Sequence, residues 1–410
     1  MRLQRITTSY PTYVEQFYDR RPGLGNQPYA AQHSALLEDS SDWADFWSVA
    51  LGKLGYEAAD VFSSMKPMQQ RWAREHETSF DEVNWLLEIT AAQVKAFKPE
   101  VLFVVDYVTF TAPFLRRLKA ECPSIRLVLG WCGGPYSDAS VFREYDLILS
   151  SVPELVRDFL DQGHRCHHIN HAFDPRVLER INTSGPPDVD FAFVGSVLKR
   201  NRYHTSREAL LLDLVEHTNL QIWTDVATAS FEERSGVRLR QMAYDTVQKA
   251  KRMGVSDAVL TAIPVIGKAA RWESRPAIAE TIEELITGRA HPPLFGLEMF
   301  QKLQRSRISL NMHIDISPTH ASNMRLYEAT GAGSCLLTDW KANLRELFEP
   351  DVEVVAYRSA EECAEKLKYL LEHEDERRNI ARAGQARTLR SHTFDHRAAQ
   401  LDELIRQALA

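Results

Sequence analysis

Asn323-Met-Arg-Leu-Tyr-Glu-Ala-Thr-Gly-Ala-Gly-Ser-Cys-Leu-Leu-Thr-Asp-Trp340 holds one complete folding unit. An apolar helical pattern carries an acid, Glu328, in its middle. Gly331 and Gly333 follow, and a short apolar run ends in Thr338-Asp339. Ser322 or Asn323 can cap the helix, which runs to about Thr330, and Gly331 can stop it. A helix, a glycine stop and a short buried strand make one repeat of an α/β layer.

The same unit recurs on both sides of this stretch. Val101–Asp106, Ile125–Gly130, Tyr145–Ser150 and about Arg165–Ile169 are short apolar runs. Helical patterns at Phe114–Ala120 and Val152–Gln162 lie among them. Such alternation indicates βαβ units and parallel sheets. The turn-rich segment Asn182-Thr-Ser-Gly-Pro-Pro-Asp188 interrupts it and marks a linker. A new buried strand, Asp190–Ser196, opens a second series with the helix Ser206–Glu216 and the strand Leu220–Trp223. Residues Ala227 to Ala290 break the alternation and read as inserted helices. Strands at Ile308–His313, Ser334–Thr338 and Val352–Tyr357 restore it, and Ser359–Leu409 is helical. The expectation is an α/β protein of two domains, 1–184 and 185–390, with a last helix over 391–410. Ligands of open α/β sheets bind beyond the carboxyl ends of the strands, so the site is expected in a cleft between the domains.

Composition narrows the chemistry. The chain has 410 residues, too many for one ordinary core. A hydrophobic share of 44% with 26% charged residues fits a globular protein. A formal charge of -7 gives no basic field, so no nucleic-acid partner is expected. The five cysteines, Cys122, Cys132, Cys166, Cys335 and Cys363, are unevenly spaced and contain no C-x-x-C, which fits reduced thiols. Met1-Arg-Leu-Gln-Arg-Ile has no apolar leader, and no run is long enough to span a membrane. A cytoplasmic protein is expected.

No G-x-G-x-x-G opens a helix after a strand, and no G-x-x-x-x-G-K-[ST] occurs, so a dinucleotide dehydrogenase and a P-loop NTPase are disfavoured. Other features can carry chemistry. The helix start at Asn323 offers free amides for an anion, Arg325 a fork of donors, and Glu328 two oxygens for a vicinal diol. Equally, Arg325 and Glu328 at i, i+3 can simply pair on a solvated face. The strand that ends in Gly195-Ser196 leads into Lys199, Arg200, Arg202, His204 and Arg207. These cations read either as a diphosphate site or as a solvated basic turn. Asn311, His313 and Asp315 alternate on one face of a strand, as a cleft-lining set or as an interior polar set. Asp106 ends a strand, as a general base or as a helix cap. The cluster His164, Cys166, His167, His168 and His171 lacks matching carboxylates, so no metal site is expected.

Taken in order, several blocks resemble one family. They include Tyr10-Pro-Thr-Tyr13, Phe17-Tyr18, Leu54-Gly-Tyr56, Met68–Glu75 and Asp146–Ser151. Phe193-Val-Gly-Ser196 with His204 and Arg207 follows, then Pro293–Met299, Leu310–Asp315, Asn323–Gly331, Leu336–Asp339, Leu347-Phe348 and Ala383–Leu389. The chain resembles bacterial GT-B glycosyltransferases of the "glycosyl transferases group 1" type, and among them the CgeB-like proteins. The resemblance implies two Rossmann-like domains facing a central cleft, with a helical insertion in the C-terminal domain. It implies a C-terminal domain that binds a nucleoside-diphosphate sugar, an N-terminal domain that binds the acceptor, and a last helix that crosses back. It implies transfer of a sugar to a hydroxyl of a glycan, lipid-linked saccharide or protein, in polysaccharide biosynthesis, without a required metal. The donor site would comprise Gly195, Ser196, Lys199, His204, Arg207, Asn311, His313, Asn323, Arg325 and Glu328, with Asp106 and Arg325 catalytic. In related retaining families a Glu-x7-Glu motif marks that site. Glu328 matches the second glutamate, and His320 stands where the first would be. A non-catalytic sugar-nucleotide or glycan binder and a sugar-nucleotide epimerase are the alternatives on this scaffold. Oligomeric state, sugar, base and acceptor are not legible in the sequence.

Overall fold

The computed structural model describes residues 1–182, 185–197, 205–224, 231–253, 286 and 288–410, with side chains in the helix Phe231–Arg252 described from Leu239 onward. Its first sheet contains β1 (Arg2–Thr7), β2 (Glu57–Phe62), β3 (Val101–Val104), β4 (Leu127–Trp131), β5 (Leu147–Ser150) and β6 (Cys166–His168). Its second contains β7 (Val189–Val194), β8 (Gln221–Trp223), β9 (Ala290–His291), β10 (Ser306–Asn311), β11 (Cys335–Asp339) and β12 (Val355–Tyr357). The orders are β2-β1-β3-β4-β5-β6 and β12-β11-β10-β7-β8-β9, with every pairing parallel. Sheets covered on both faces need apolar strands, and β3, β4, β5 and β11 are buried along their whole length.

Strand order reverses twice, between β1 and β3 and between β7 and β10. These are the switch points at which open α/β sheets hold ligands. The loops after the strands face one another across the domain boundary. Tyr13, after β1, lies 5.3 Å from the ring of Phe295, after β9. Glu154, after β5, bonds to Ser317, Thr319 and His320, after β10. Two Rossmann-like domains facing a cleft define the GT-B fold.

Three strands, β1, β2 and β9, depart from the apolar pattern expected of the sequence. β1, Arg-Leu-Gln-Arg-Ile-Thr, lies at the centre of its sheet with Arg5 fully buried. Arg5 Nε donates to Asp60 Oδ1 of β2 at 2.5 Å, and Ser48 Oγ donates to the other oxygen of Asp60. A buried pair with its lone pairs filled escapes the penalty that would exclude either residue alone. The third is β9, two residues long. Within the expected insertion, Phe231–Arg252 is helical. Residues 254–285 lie outside the described residues.

The quoted stretch is shifted by two residues. The helix is Arg325–Ala332, and its stop is Gly333 at φ 89° rather than Gly331. Gly331 serves packing instead: a Cβ there would stand 2.3 Å from the ring of Phe173.

The helix Phe394–Leu409 packs onto the first domain. Phe394 lies 5.3 Å from Trp47 and 5.2 Å from Phe46. Tyr56 Oη donates to Asp402 Oδ1 at 2.7 Å, and Arg397 Nε donates to the carbonyl of Asn170 at 3.1 Å. Just before the helix, Phe173 N donates to the carbonyl of His392 at 2.9 Å. One apolar cluster runs through these contacts from the first sheet to Tyr327 and Leu336 of the second domain.

Candidate functional site

The second switch point is built from the ends of β7 and β10. Arg207, on the helix Thr205–His217, is only 7% exposed and reaches both ends. Its Nη1 donates to the carbonyl of Ser196 at 2.8 Å, and its Nη2 to that of Met312 at 2.6 Å. Burial pulls its pKa down to about 10, against the raising field of Asp339, so the group stays cationic at neutral pH. Gly195 N donates to the carbonyl of Trp223 at 3.0 Å. Arg207 therefore acts here as a clamp whose terminal nitrogens are taken. Lys199 and His204 lie outside the described residues.

The polar set on β10 is an interior network. Asn311 Nδ2 donates to Thr338 Oγ1 at 2.9 Å, and Asn311 Oδ1 accepts from Asn323 Nδ2 at 2.6 Å. β10 ends at Asn311, so His313 and Asp315 belong to the loop and do not continue its face. His313 is buried, with Nδ1 2.6 Å from Asp339 Oδ1. Burial works to raise the Asp339 carboxyl, but His313 and Lys341 hold it down to about 2. Asp315 Oδ2 accepts from Thr205 N at 2.8 Å, at the start of the Arg207 helix. These residues fix the floor rather than line its mouth.

Arg325 and Glu328 stand on that floor. Arg325 Nε donates to the carbonyl of Val194, the last residue of β7, at 3.0 Å. Its Nη1 donates to Glu328 Oε2 at 2.8 Å. Their side chains are only 16% and 10% exposed, so this is no solvated pair. Burial raises the Glu328 pKa, and the Arg325 charge opposes the rise. Oε1 of Glu328 has no hydrogen-bond partner among the described residues. The helix start at Arg325 also has no side-chain cap. The helix places uncapped amides, a guanidinium and an open carboxylate oxygen together at the switch point.

The facing wall belongs to the first domain. Asp106 follows β3 at that sheet's own switch point. Its Oδ1 accepts from the amides of Val108 (2.8 Å) and Thr109 (3.0 Å), and its Oδ2 from Thr8 Oγ1 at 2.5 Å. Both oxygens thus hold the loops after β1 and β3. One acid not singled out in the sequence also stands here. Glu154, opening the helix Pro153–Asp161, accepts from Thr319 Oγ1 (2.6 Å) and Ser317 Oγ (3.1 Å) and bonds to His320 Nδ1 (2.9 Å). Burial would raise its pKa, but Thr319 and His320 bring it to about 2. Its only sequence signal is an acid in the first turn of a helix that follows a strand.

The histidine cluster scatters. His167 and His168 are exposed, whereas His171 is buried with Nε2 3.0 Å from Ser151 Oγ. Among the described residues no three His, Cys, Asp or Glu side chains gather as metal ligands. All five cysteines are buried and unpaired. No helix among the described residues is long and apolar enough to cross a membrane.

Comparison with known proteins agrees with the fold. Residues 240–403 match a family model described as glycosyl transferase-like. No curated protein matches the chain. Among solved structures, the chain is similar to Anabaena HepE in complex with UDP-glucose, at 11% identity and a TM-score of 0.53, covering 99% of this chain and 100% of that one. It is similar to a glycosyltransferase from Rickettsia africae at 9% identity and a TM-score of 0.52, covering 100% and 98%. It is also similar to sucrose-phosphate synthase from Thermosynechococcus elongatus at 10% identity and a TM-score of 0.50, covering 99% and 98%.

Proposed function

We propose that this chain is a glycosyltransferase that moves a sugar from a nucleoside-diphosphate donor to a hydroxyl group. The observation that carries the reading is the buried Arg325–Glu328 pair against the end of β7 at the second switch point. The glycosyl transferase-like family match over residues 240–403 and the likeness to a UDP-glucose-bound fold support it. In this reading Glu328 accepts ribose hydroxyls through Oε1. The helix start at Arg325 and the Arg325 guanidinium meet the diphosphate. As the sugar–oxygen bond breaks, negative charge grows on the departing diphosphate, and fixed cations placed there lower the barrier. Arg207 adds charge from beneath, and Asn311, His313 and Asn323 hold the floor. Gly195 and Ser196, directly after β7, border the phosphates in this reading. Protein groups supply this charge, so no metal is required. The acceptor, a glycan, a lipid-linked saccharide or a protein, enters from the first domain.

The test is a thermal-stability screen of nucleoside diphosphates and their sugars, with and without Mg²⁺, followed by an assay for nucleoside-diphosphate release. A ligand that binds the folded state raises its apparent stability. Selective stabilisation by one nucleotide, with diphosphate release that depends on an added hydroxyl, is expected. Stabilisation with a changed sugar stereocentre and no release would mark an epimerase. Stabilisation with neither would mark a binder. A folded sample that no nucleotide stabilises would overturn the reading.

A further inference from the structure

The free edge of the first sheet borders a cavity that the cleft does not use. β2 is the last strand on its side and has a neighbour, β1, on the other side only. A cavity of about 560 Å³ runs along it, touching Ala58, Asp60 and Val61. Small-molecule sites span roughly 300–1,000 Å³. The cavity also reaches Arg2 and Gln4, near the start of β1, and all its lining residues belong to the first domain. The cleft lies beyond the opposite, carboxyl ends of these strands.

Two aromatic stacks of the same construction line it. Tyr29 and His33, at i, i+4 on the helix Tyr29–Asp39, stack with ring centres 5.4 Å apart and planes 24° from parallel. Trp72 and His76 repeat the spacing at the end of the helix Lys66–Glu75, at 4.2 Å and 15°. Two amides complete the wall. Gln4 and Gln93 are only 3% and 4% exposed, and neither Oε1 makes a hydrogen bond. Gln4 makes no side-chain hydrogen bond of any kind among the described residues. A buried amide without partners is costly and calls for an explanation. Nothing ties the Gln4 amide, and its last torsion is soft, so it can turn either its oxygen or its nitrogen to the cavity. The carboxylates and the guanidinium on this wall, by contrast, are all paired. Arg2 meets Glu57 at 2.8 Å, Asp45 meets Arg176 at 2.8 Å, and Asp60 meets Arg5. Burial lowers the His33 pKa, against the pull of Asp60, so its ring is neutral at neutral pH.

We infer that this cavity is a second binding site, and that its ligand is a neutral saccharide. A phosphate or a metal ion finds no unpaired opposite charge among these carboxylates and the guanidinium. A sugar ring matches what is left. Its hydroxyls both donate and accept, as the unbonded amides require. Its C–H faces suit aromatic rings, whose faces carry partial negative charge. A cavity walled by rings with a few placed polar groups is the usual build of a small-ligand site. With its acids paired, the site holds the sugar and leaves it unchanged. The inference stands on this wall alone and does not need the transferase reading.

The test uses the full chain without nucleotide. The probes are the methyl glycosides of glucose, galactose, mannose and N-acetylglucosamine, with maltose, cellobiose and lactose. Saturation-transfer NMR and calorimetric titration should show at least one of them bound. A Kd on the order of 1 mM is expected for about 12 heavy atoms at ordinary ligand efficiency. Gln4→Leu keeps the bulk of the side chain and loses no bond, so its melting temperature should be unchanged or raised. It should bind the saccharide at least roughly tenfold more weakly. Ala96→Trp starts from an exposed lining position on the helix Trp85–Phe97, fills the cavity, and should abolish binding while the protein stays folded. A folded wild type that takes up none of the probes well above that concentration overturns the inference, and a stabilised Gln4→Leu would then mark a cavity that holds ordered water only. A saccharide that binds both variants as tightly as wild type also overturns it, because the sugar then sits elsewhere. If Gln4→Leu does not fold, Ala96→Trp decides alone. A chain that binds saccharide here but no nucleotide refutes the transferase reading and leaves this site standing.

Discussion

Glu328→Gln isolates the most specific contact in the proposed donor site. Glutamine keeps the shape of the side chain, and Arg325 keeps its bond to the carbonyl of Val194. What is lost is a charged acceptor. A carboxylate offers about four lone-pair positions, and Arg325 Nη1 takes one at Oε2. The rest remain for a diol. A hydrogen bond to a charged group contributes roughly 1.5–3 kcal/mol, so about 2 kcal/mol, or roughly 30-fold in Kd, is expected. At a nucleotide concentration 100 times the wild-type Kd, ligand stabilises wild type by about 2.7 kcal/mol and the variant by only about 0.9 kcal/mol. Chemical denaturation with and without nucleotide measures this, each protein against its own ligand-free baseline. A 2′-deoxynucleotide completes the cycle. Its penalty should be large in wild type and nearly absent in Glu328→Gln, because the partner has already been removed. Equal stabilisation of both proteins by the ribonucleotide would refute the reasoning. So would a deoxy penalty that survives the substitution.

Three further outcomes follow from the packing and the charges. Gly331→Ala presses a methyl against the Phe173 ring, whose nearest atom would be 2.3 Å away, and should cost about 1–3 kcal/mol of unfolding free energy. An unchanged denaturation midpoint would show that the contact yields freely. Asp339→Asn should cost about 2 kcal/mol at pH 7, because the folded carboxyl sits near 2 against an ordinary 3.8. That contribution is present above 3.8 and fades as pH falls toward 2, so urea midpoints of wild type and variant should converge over that window. Glu154→Gln removes the acceptor that ties the first domain to Ser317, Thr319 and His320. The radius of gyration from solution scattering should increase. In wild type the tie should hold across neutral pH and fail only as pH drops below 4.5 toward about 2.

The buried runs were the legible part of the fold. β3, β4, β5 and β11 show in the sequence because strands covered on both faces must be apolar. β1 does not show, because Arg5 is compatible with a central strand only through Asp60, far along the chain on β2. The Arg325–Glu328 pair was legible as a pair, since i, i+3 spacing joins it locally. Its burial was not, because the end of β7 covers it. Asn311, His313 and Asp315 looked periodic, but the strand stops at the first of them. Glu154 shows only as an acid in the first turn of a helix. It gains its place from a loop of the opposite domain.

The helix that crosses back has a consequence for the order of manufacture. Phe46, Trp47 and Trp43 belong to the first domain, yet Phe394 covers them. A ribosome that has finished β6 has made the whole first sheet, but not the piece that seals it. The roughly 220 residues between Phe173 and Phe394 take on the order of 10–45 s to synthesise at about 5–20 residues/s. Throughout that interval a three-ring aromatic face waits uncovered on an otherwise complete domain. The last helix then shuts a door left open since early synthesis, so the two domains mature together although one was made first.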